Sequence, residues 1–261
     1  EQAAIGAAAH LVNFKGTDTV PGIVLARKFY HENMAGFSIP ASEHSTITSW
    51  LKEHEIDACK NMLEQYPDGL VACVSDSYDI FNCCANIWGG ALREKILSRN
   101  GTLVVRPDSG YPPEIVIKVL EILGEKFGYT TNSKKYKILD PHVRVIQGDG
   151  IDYDMLVNIL VSMEKNGWSA DNVAFGSGGG LLQKINRDTQ KFAFKCSSVK
   201  VGDEPTERDV YKQPITDSGK KSKSGRLKLI KDQEKLLTVS DKDQREDVLH
   251  QLCVNQQHGG E

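Results

Sequence analysis

Residue types suited to phosphate and sugar chemistry recur at short spacing in five places. These are Glu43-His44, Arg106-Pro107-Asp108, Gly148-Asp149-Gly150, Gly176-Ser-Gly-Gly-Gly180, and the basic Arg187 and Lys195 behind the glycine run. A glycine run ahead of a helix lets successive backbone N–H groups converge on an anion, with a favourable dipole behind them. Leu181 stands where a dinucleotide fingerprint needs its third glycine, and no P-loop Gly-Lys-Ser/Thr follows. Gly178 and Gly179 therefore read either as a phosphate cradle of another kind or as a tight turn. Asp149, held between glycines, can accept hydrogen bonds from vicinal ribose hydroxyls, or it can serve as a turn or N-cap aspartate. Arg106 can clamp a phosphate with two parallel bonds and Asp108 can hold a magnesium-bound diphosphate; a structural Arg–Asp pair is the plainer alternative. His44 sits beside Glu43 and among the hydroxyls of Ser42, Ser45 and Thr46. A neutral imidazole there can attack a phosphoryl group, although a lone histidine more often serves structure. Together these are parts for binding a phosphorylated sugar with magnesium, and they leave the base and the reaction open.

The elements that must position them repeat one unit: an apolar run, a polar or glycine-rich corner, then an amphipathic stretch. Strands are expected over 69–76, 103–106, 143–147 and 173–175. Helices are expected over 78–88, from the Pro112-Pro113 pair to about Phe127, and through Met155, Leu156, Ile159, Leu160 and Met163 to a stop at Gly167. Strands alternating with helices imply parallel pairing and an α/β fold, with each unusual residue just after a strand. That placement predicts part of a (β/α) barrel whose corners face one pocket. Residues 1–200 are expected to form this barrel portion, and 201–261 a charged C-terminal extension completing it. Within the extension, Lys220-Lys-Ser-Lys-Ser-Gly-Arg226 reads as a solvated loop or hairpin, or as a basic loop reaching a phosphate.

Composition excludes several classes. The 261 residues carry 32 Lys+Arg against 35 Asp+Glu, with 39% hydrophobic and 26% charged residues. That is too apolar for disorder, too charged for a membrane-embedded chain, and too near neutral for a dedicated nucleic-acid binder. The six cysteines form no CxxC pair and read as reduced thiols packed as small hydrophobes. No signal peptide is visible, which points to the cytoplasm, and a start at Glu1 without Met suggests a fragment or processed product.

Six segments in order and at matching spacing resemble the nicotinamide phosphoribosyltransferase family. They are Leu11–Thr19, Ala41–Thr48, Val74–Asp79, Arg106–Gly110, Val145–Gly150 and Phe175–Lys184. The resemblance implies a type II phosphoribosyltransferase on an irregular (β/α) barrel, here the C-terminal catalytic half, working as a homodimer with shared sites. It implies transfer from 5-phosphoribosyl 1-diphosphate to nicotinamide with magnesium, and ATP as an optional co-substrate through a phosphohistidine. Residue by residue, it implies His44 as the phosphorylated histidine and Asp18 as acceptor of the nicotinamide amide. It places Arg106, Pro107 and Asp108 at the base and diphosphate, and Gly148 and Asp149 at the ribose. It places Gly178 and Gly179 at the 5′-phosphate, with Arg187 and Lys195 as phosphate ligands. Ser38 and Asp76 fall on further pocket positions, and Asp108 with Glu43 would hold magnesium. Nicotinate phosphoribosyltransferase, a non-catalytic binding protein on the same fold, and an unrelated sugar-phosphate barrel enzyme are the alternatives.

Overall fold

A computed structural model describes residues 2–12, 17, 19–36, 38–182, 193–203 and 206–249. In chain order its strands are β1 (Asp68–Val74), β2 (Asn100–Arg106), β3 (Tyr129–Thr131), β4 (Lys137–Leu139), β5 (Val143–Gln147), β6 (Val173–Phe175), β7 (Ser198–Val199), β8 (Arg208–Asp209), β9 (Leu227–Asp232) and β10 (Lys235–Ser240). The helices are α1 (Gln2–Ala9), α2 (Val20–Tyr30), α3 (His44–Thr48), α4 (Glu55–Gln65), α5 (Ile80–Asn82), α6 (Arg93–Leu97), α7 (Pro112–Phe127), α8 (Tyr153–Lys165) and α9 (Gly179–Leu182).

The apolar runs pair as expected. β1, β2, β5 and β6 form one parallel sheet in that order, with Val71 opposite Leu103, Val105 opposite Val145 and Gln147 opposite Phe175. Val71 to Val74 are all buried, as in strands covered on both faces. Outside β1, Ala41 bridges Ala72 in parallel, and Ser42 N donates to the Ala72 carbonyl (3.0 Å). Spatial order thus follows chain order without reversal, as in a barrel segment; open doubly wound sheets reverse at a switch point. All of the strand C-terminal ends therefore point one way, and the bridge sets His44 beside them.

Helix α7 starts on Pro112 and Pro113, where a missing N–H costs nothing, and buries Ile115, Val116, Val119, Leu120 and Leu123. Gly128, at φ +87, ends it in a conformation that a side chain would strain. Gly124 lets α7 meet Trp168, since a Cβ there would lie 2.7 Å from the indole Cη2. Helix α8 opens on Asp152, whose carboxylate accepts from Met155 N at 2.9 Å. Asp152→Ala is expected to cost about 1 kcal/mol, read as a lower urea midpoint at unchanged slope.

One element differs from expectation. The apolar spacing at Ile80, Phe81, Cys84 and Ile87 predicts an ordinary helix, yet only Ile80–Asn82 is α-helical and Cys83–Ala91 winds as a π-helix. The wider turn seats Trp88 fully buried, its Nε1 donating to Ser75 Oγ at 3.0 Å just ahead of Asp76. Part of the charged extension forms the β9–β10 hairpin. Cys59, Cys73, Cys83 and Cys84 are buried free thiols and Cys196 an exposed one; Cys253 lies outside the described residues. Among the described residues no helix is long and apolar enough to cross a membrane.

Candidate active site

Each corner delivers its side chain by a local device. Glu43 caps helix α3: its carbonyl accepts from Thr46 N (2.9 Å) and its N–H donates to Thr46 Oγ1 (3.2 Å), which together fix the turn that carries His44. His44 is buried, with Nε2 2.9 Å from Asp76 Oδ1 beyond the end of β1 and Nδ1 3.9 Å from Asp108 Oδ2 beyond the end of β2. Arg106 ends β2 and reaches back to Glu43, Nη1 at 3.3 Å from Oε1 and Nη2 at 3.2 Å from Oε2. Pro107 is buried between Arg106 and Asp108. After β5, Gln147 Nε2 donates to the Asp149 carbonyl (3.1 Å) and Gly150 turns at φ +66. After β6, a Cβ on Gly176 would meet Gly148 Cα at 3.3 Å, so the two glycine corners abut. Gly178 and Gly179 expose their backbone beside them, and Gly179 opens helix α9.

Two lysines tie these corners together: Lys212, which no motif marks, and Lys220, the first residue of the basic run. Lys212, 4% exposed, places Nζ 2.8 Å from His44 Nε2, 3.7 Å from Asp108 Oδ2 and 3.9 Å from Asp76 Oδ2. Lys220 Nζ bridges the Asp149 carboxylate (2.5 Å) and the Asp108 carbonyl (2.7 Å). Their segment is sewn across the strand ends. Gln213 N donates to the Ser77 carbonyl (3.0 Å), Ile215 N to the Tyr78 carbonyl (3.0 Å), and the Ser109 and Thr216 hydroxyls share a hydrogen bond. Lys220 thus resolves the basic run in favour of a loop that reaches the site. A cavity of about 130 Å³ lies beside His44, lined by Ser45, Lys195, Cys196, Lys212 and Ser222 among others.

Burial and charge work against each other here. Burial pushes the Asp76 carboxyl up, but the His44 bond and the Lys212 charge prevail and hold it at about 2. Asp108 moves the other way: burial raises it, Asp76 adds to that, and His44, Lys212 and Arg106 only partly offset the rise. Lys212 is lowered by burial, opposed by Asp76 and Asp108. Burial raises Glu43, and the Arg106 bond and charge outweigh it, leaving its pKa lowered. The inner end (His44, Asp76, Asp108, Lys212) is a desolvated proton-bearing cluster. The outer end (Asp149, Lys220 and the glycine corners) offers a carboxylate and open backbone suited to a sugar phosphate.

The structure therefore gathers Glu43, His44, Asp76, Arg106, Asp108, Gly148, Asp149, Gly178 and Gly179 on one face, with the exposed Lys195 at the cavity. Ser38 is exposed and its hydroxyl donates to the Ile39 carbonyl (3.5 Å). Asp18 and Arg187 lie outside the described residues.

Known proteins are similar to this sequence. Nicotinamide phosphoribosyltransferase of Xanthomonas campestris pv. campestris is 57% identical over 232 residues, covering 88% of this chain and 49% of that protein. The enzyme of that name from Mycoplasma pneumoniae is 36% identical over 232 residues (84% and 49%), and that from Acinetobacter baylyi 33% identical over 247 residues (86% and 48%). The chain spans about half the length of these curated relatives. A family model, the nicotinate phosphoribosyltransferase (NAPRTase) family, matches residues 1–256, and the chain belongs to that family.

Proposed function

We propose that this chain supplies the phosphoribosyl-transferring half of an enzyme that joins nicotinamide to 5-phosphoribosyl 1-diphosphate. The products are nicotinamide mononucleotide and diphosphate, a step of NAD salvage. The observation that carries the reading is the convergence of Arg106, Asp108, Asp149 and the glycine corners at the ends of neighbouring parallel strands. Departure of diphosphate leaves positive charge on the ribose, so the site must hold the leaving anion and steady an oxocarbenium-like carbon. Arg106, Lys212 and Lys220 suit the anion. Asp149 suits the ribose hydroxyls once Lys220 yields its carboxylate, and the pyridine nitrogen attacks without a protein base. Nicotinamide is favoured over nicotinate because the relatives at 57%, 36% and 33% identity bear that name.

Magnesium fits this site as an ion brought in by substrate. Among the described residues no group of three or more His, Cys, Asp or Glu side chains could hold a metal, and Glu43 is bonded to Arg106. Asp108 offers one carboxylate, which suffices for an ion that keeps phosphate oxygens and waters as its other ligands. When bound, magnesium neutralises charge on the diphosphate. ATP is proposed as a second substrate that phosphorylates His44, with the cavity beside His44 and Lys195 admitting its phosphates. A cytoplasmic homodimer with sites shared between subunits completes the reading.

The test is a competition assay on the protein at its natural full length, with both pyridine bases and 5-phosphoribosyl 1-diphosphate present. Nicotinamide mononucleotide is expected to be the main product, with kcat/KM favouring nicotinamide at least tenfold. A preference for nicotinate would reassign the base, and absence of transfer to either would overturn the enzyme reading.

A further inference from the structure

His44 Nε2 has two partners that exclude one another. Asp76 Oδ1 lies 2.9 Å away and, ionised, can only accept; the Lys212 ammonium lies 2.8 Å away and can only donate. One imidazole nitrogen either carries a hydrogen for the carboxylate or a lone pair for the ammonium. In a neutral ring the choice fixes the other nitrogen too. With Nε2–H donated to Asp76, Nδ1 holds the lone pair; with Lys212 donating to Nε2, Nδ1 carries the hydrogen and faces Asp108 Oδ2 at 3.9 Å.

The site also contains the alternative seat for the ammonium. Asp76 is 1% exposed and its second oxygen, Oδ2, is buried with no hydrogen-bond partner. Lys212 Nζ stands 3.9 Å from that oxygen, so closing on it by about 1 Å would form an N–H···O bond. The same movement vacates Nε2. Both arrangements carry the same net charge and differ by a proton shift within the ring and a short travel of one side chain. A phosphate chain entering the cavity onto which His44, Lys195 and Lys212 open would likewise attract the ammonium away from Nε2.

We propose that Lys212 is the positioning residue that sets the tautomer of His44, holding Nδ1 protonated in the free site and releasing its lone pair when the ammonium leaves Nε2. This rests on His44 being the phosphoryl acceptor. In that step the Nδ1 lone pair forms the bond to the γ-phosphorus of ATP. The bridging β–γ P–O bond breaks, its electron pair leaves with ADP, and Nε2–H stays on Asp76, which balances the positive ring. Lys212 thereby couples nucleophilicity to the presence of phosphate, so that the histidine is inert until its substrate arrives.

The experiment is two-bond 15N–1H correlation on the full-length protein labelled in histidine, with His44→Gln identifying the signal. The free wild type is expected to show protonated Nδ1, with a shift toward protonated Nε2 on adding inorganic phosphate or a non-hydrolysable ATP analogue. Lys212→Met is expected to show protonated Nε2 without ligand, and Asp76→Asn, which keeps the shape, to lock protonated Nδ1 with or without it. The same tautomer in wild type and Lys212→Met sinks the proposal; should Lys212→Met not fold, a ligand-responsive tautomer in Asp76→Asn does so. Acid-labile phosphate on His44 after ATP exposure is measured separately. If the tautomer responds and no phosphate forms, the switch stands and the phosphoryl-acceptor reading falls.

Discussion

Arg106→Ala is expected to lower kcat/KM for phosphoribosyl transfer by about 10²–10³-fold, the scale of removing one preorganised donor aimed at developing charge. Arg106 ends β2 with its side chain 16% exposed, and both terminal nitrogens now face Glu43, which is 70% exposed. An arriving diphosphate offers the same fork a doubly charged partner in place of a solvated carboxylate. Glu43 thus acts as a stand-in anion that keeps the guanidinium extended and aimed. Arg106→Lys is expected to recover only a small part of the loss, because an ammonium cannot make two parallel planar bonds. Steady-state kinetics at natural full length, with thermal unfolding as the control for folding, decide the matter. An alanine variant within threefold of wild type would remove Arg106 from the diphosphate site.

Glu55→Gln is expected to stabilise the protein at pH 8 by up to about 3 kcal/mol while changing little at pH 4. Glu55 opens helix α4 and is 7% exposed. Burial, with Asp79 and Asp76 adding and Lys52 opposing, pushes its carboxyl from 4.5 up to about 7. The folded state therefore binds this proton more tightly than the unfolded chain. The cost of ionising Glu55 is absent below the unfolded value, grows as pH rises from about 4.5, and is complete above about 7. At about 1.4 kcal/mol per pH unit, that interval sets the stated limit. Asp76 runs the other way: its depressed carboxyl contributes stability above about 3.8 that is lost as pH falls toward 2. Urea unfolding at pH 4 and pH 8 separates the two. An equal effect of Glu55→Gln at both values would show that ionisation of this side chain is not what strains the site.

Much of this was legible in residue order because it depends on short-range rules. The runs expected over 69–76, 103–106, 143–147 and 173–175 became parallel strands, the first ending at Val74, and Asp149 and Gly176 fell at corners because glycine and aspartate tolerate such turns. His44 and Asp76 met because each closely follows a segment paired in parallel, Ala41 beside Ala72. What stayed hidden was long-range. Lys212 reaches His44 across 168 positions from a charged stretch whose periodicity gives no cue; the run starting at Lys220 reads as a basic loop, but its reach to Asp149 across 71 positions does not show in the sequence. Glu55, set among Glu53, His54 and Asp57, reads as a solvated helix start; only the packed neighbourhood makes it costly. The π-turns of 83–91 were equally invisible, since Ile80, Cys84 and Ile87 suit either winding.

The cross-stitching by residues 210–222 also has a temporal side. A ribosome adding about 5–20 residues per second delivers Lys212 on the order of ten seconds after His44. During that interval Asp76, Asp108 and Asp149 can sit beneath half-formed strands with neither lysine as counter-ion. A nascent chain halted before residue 210 would carry the histidine and the carboxylates as an electronegative hollow, attractive to cations and repellent to polyphosphate anions. Completion of this site thus waits for Lys212 and Lys220 to emerge.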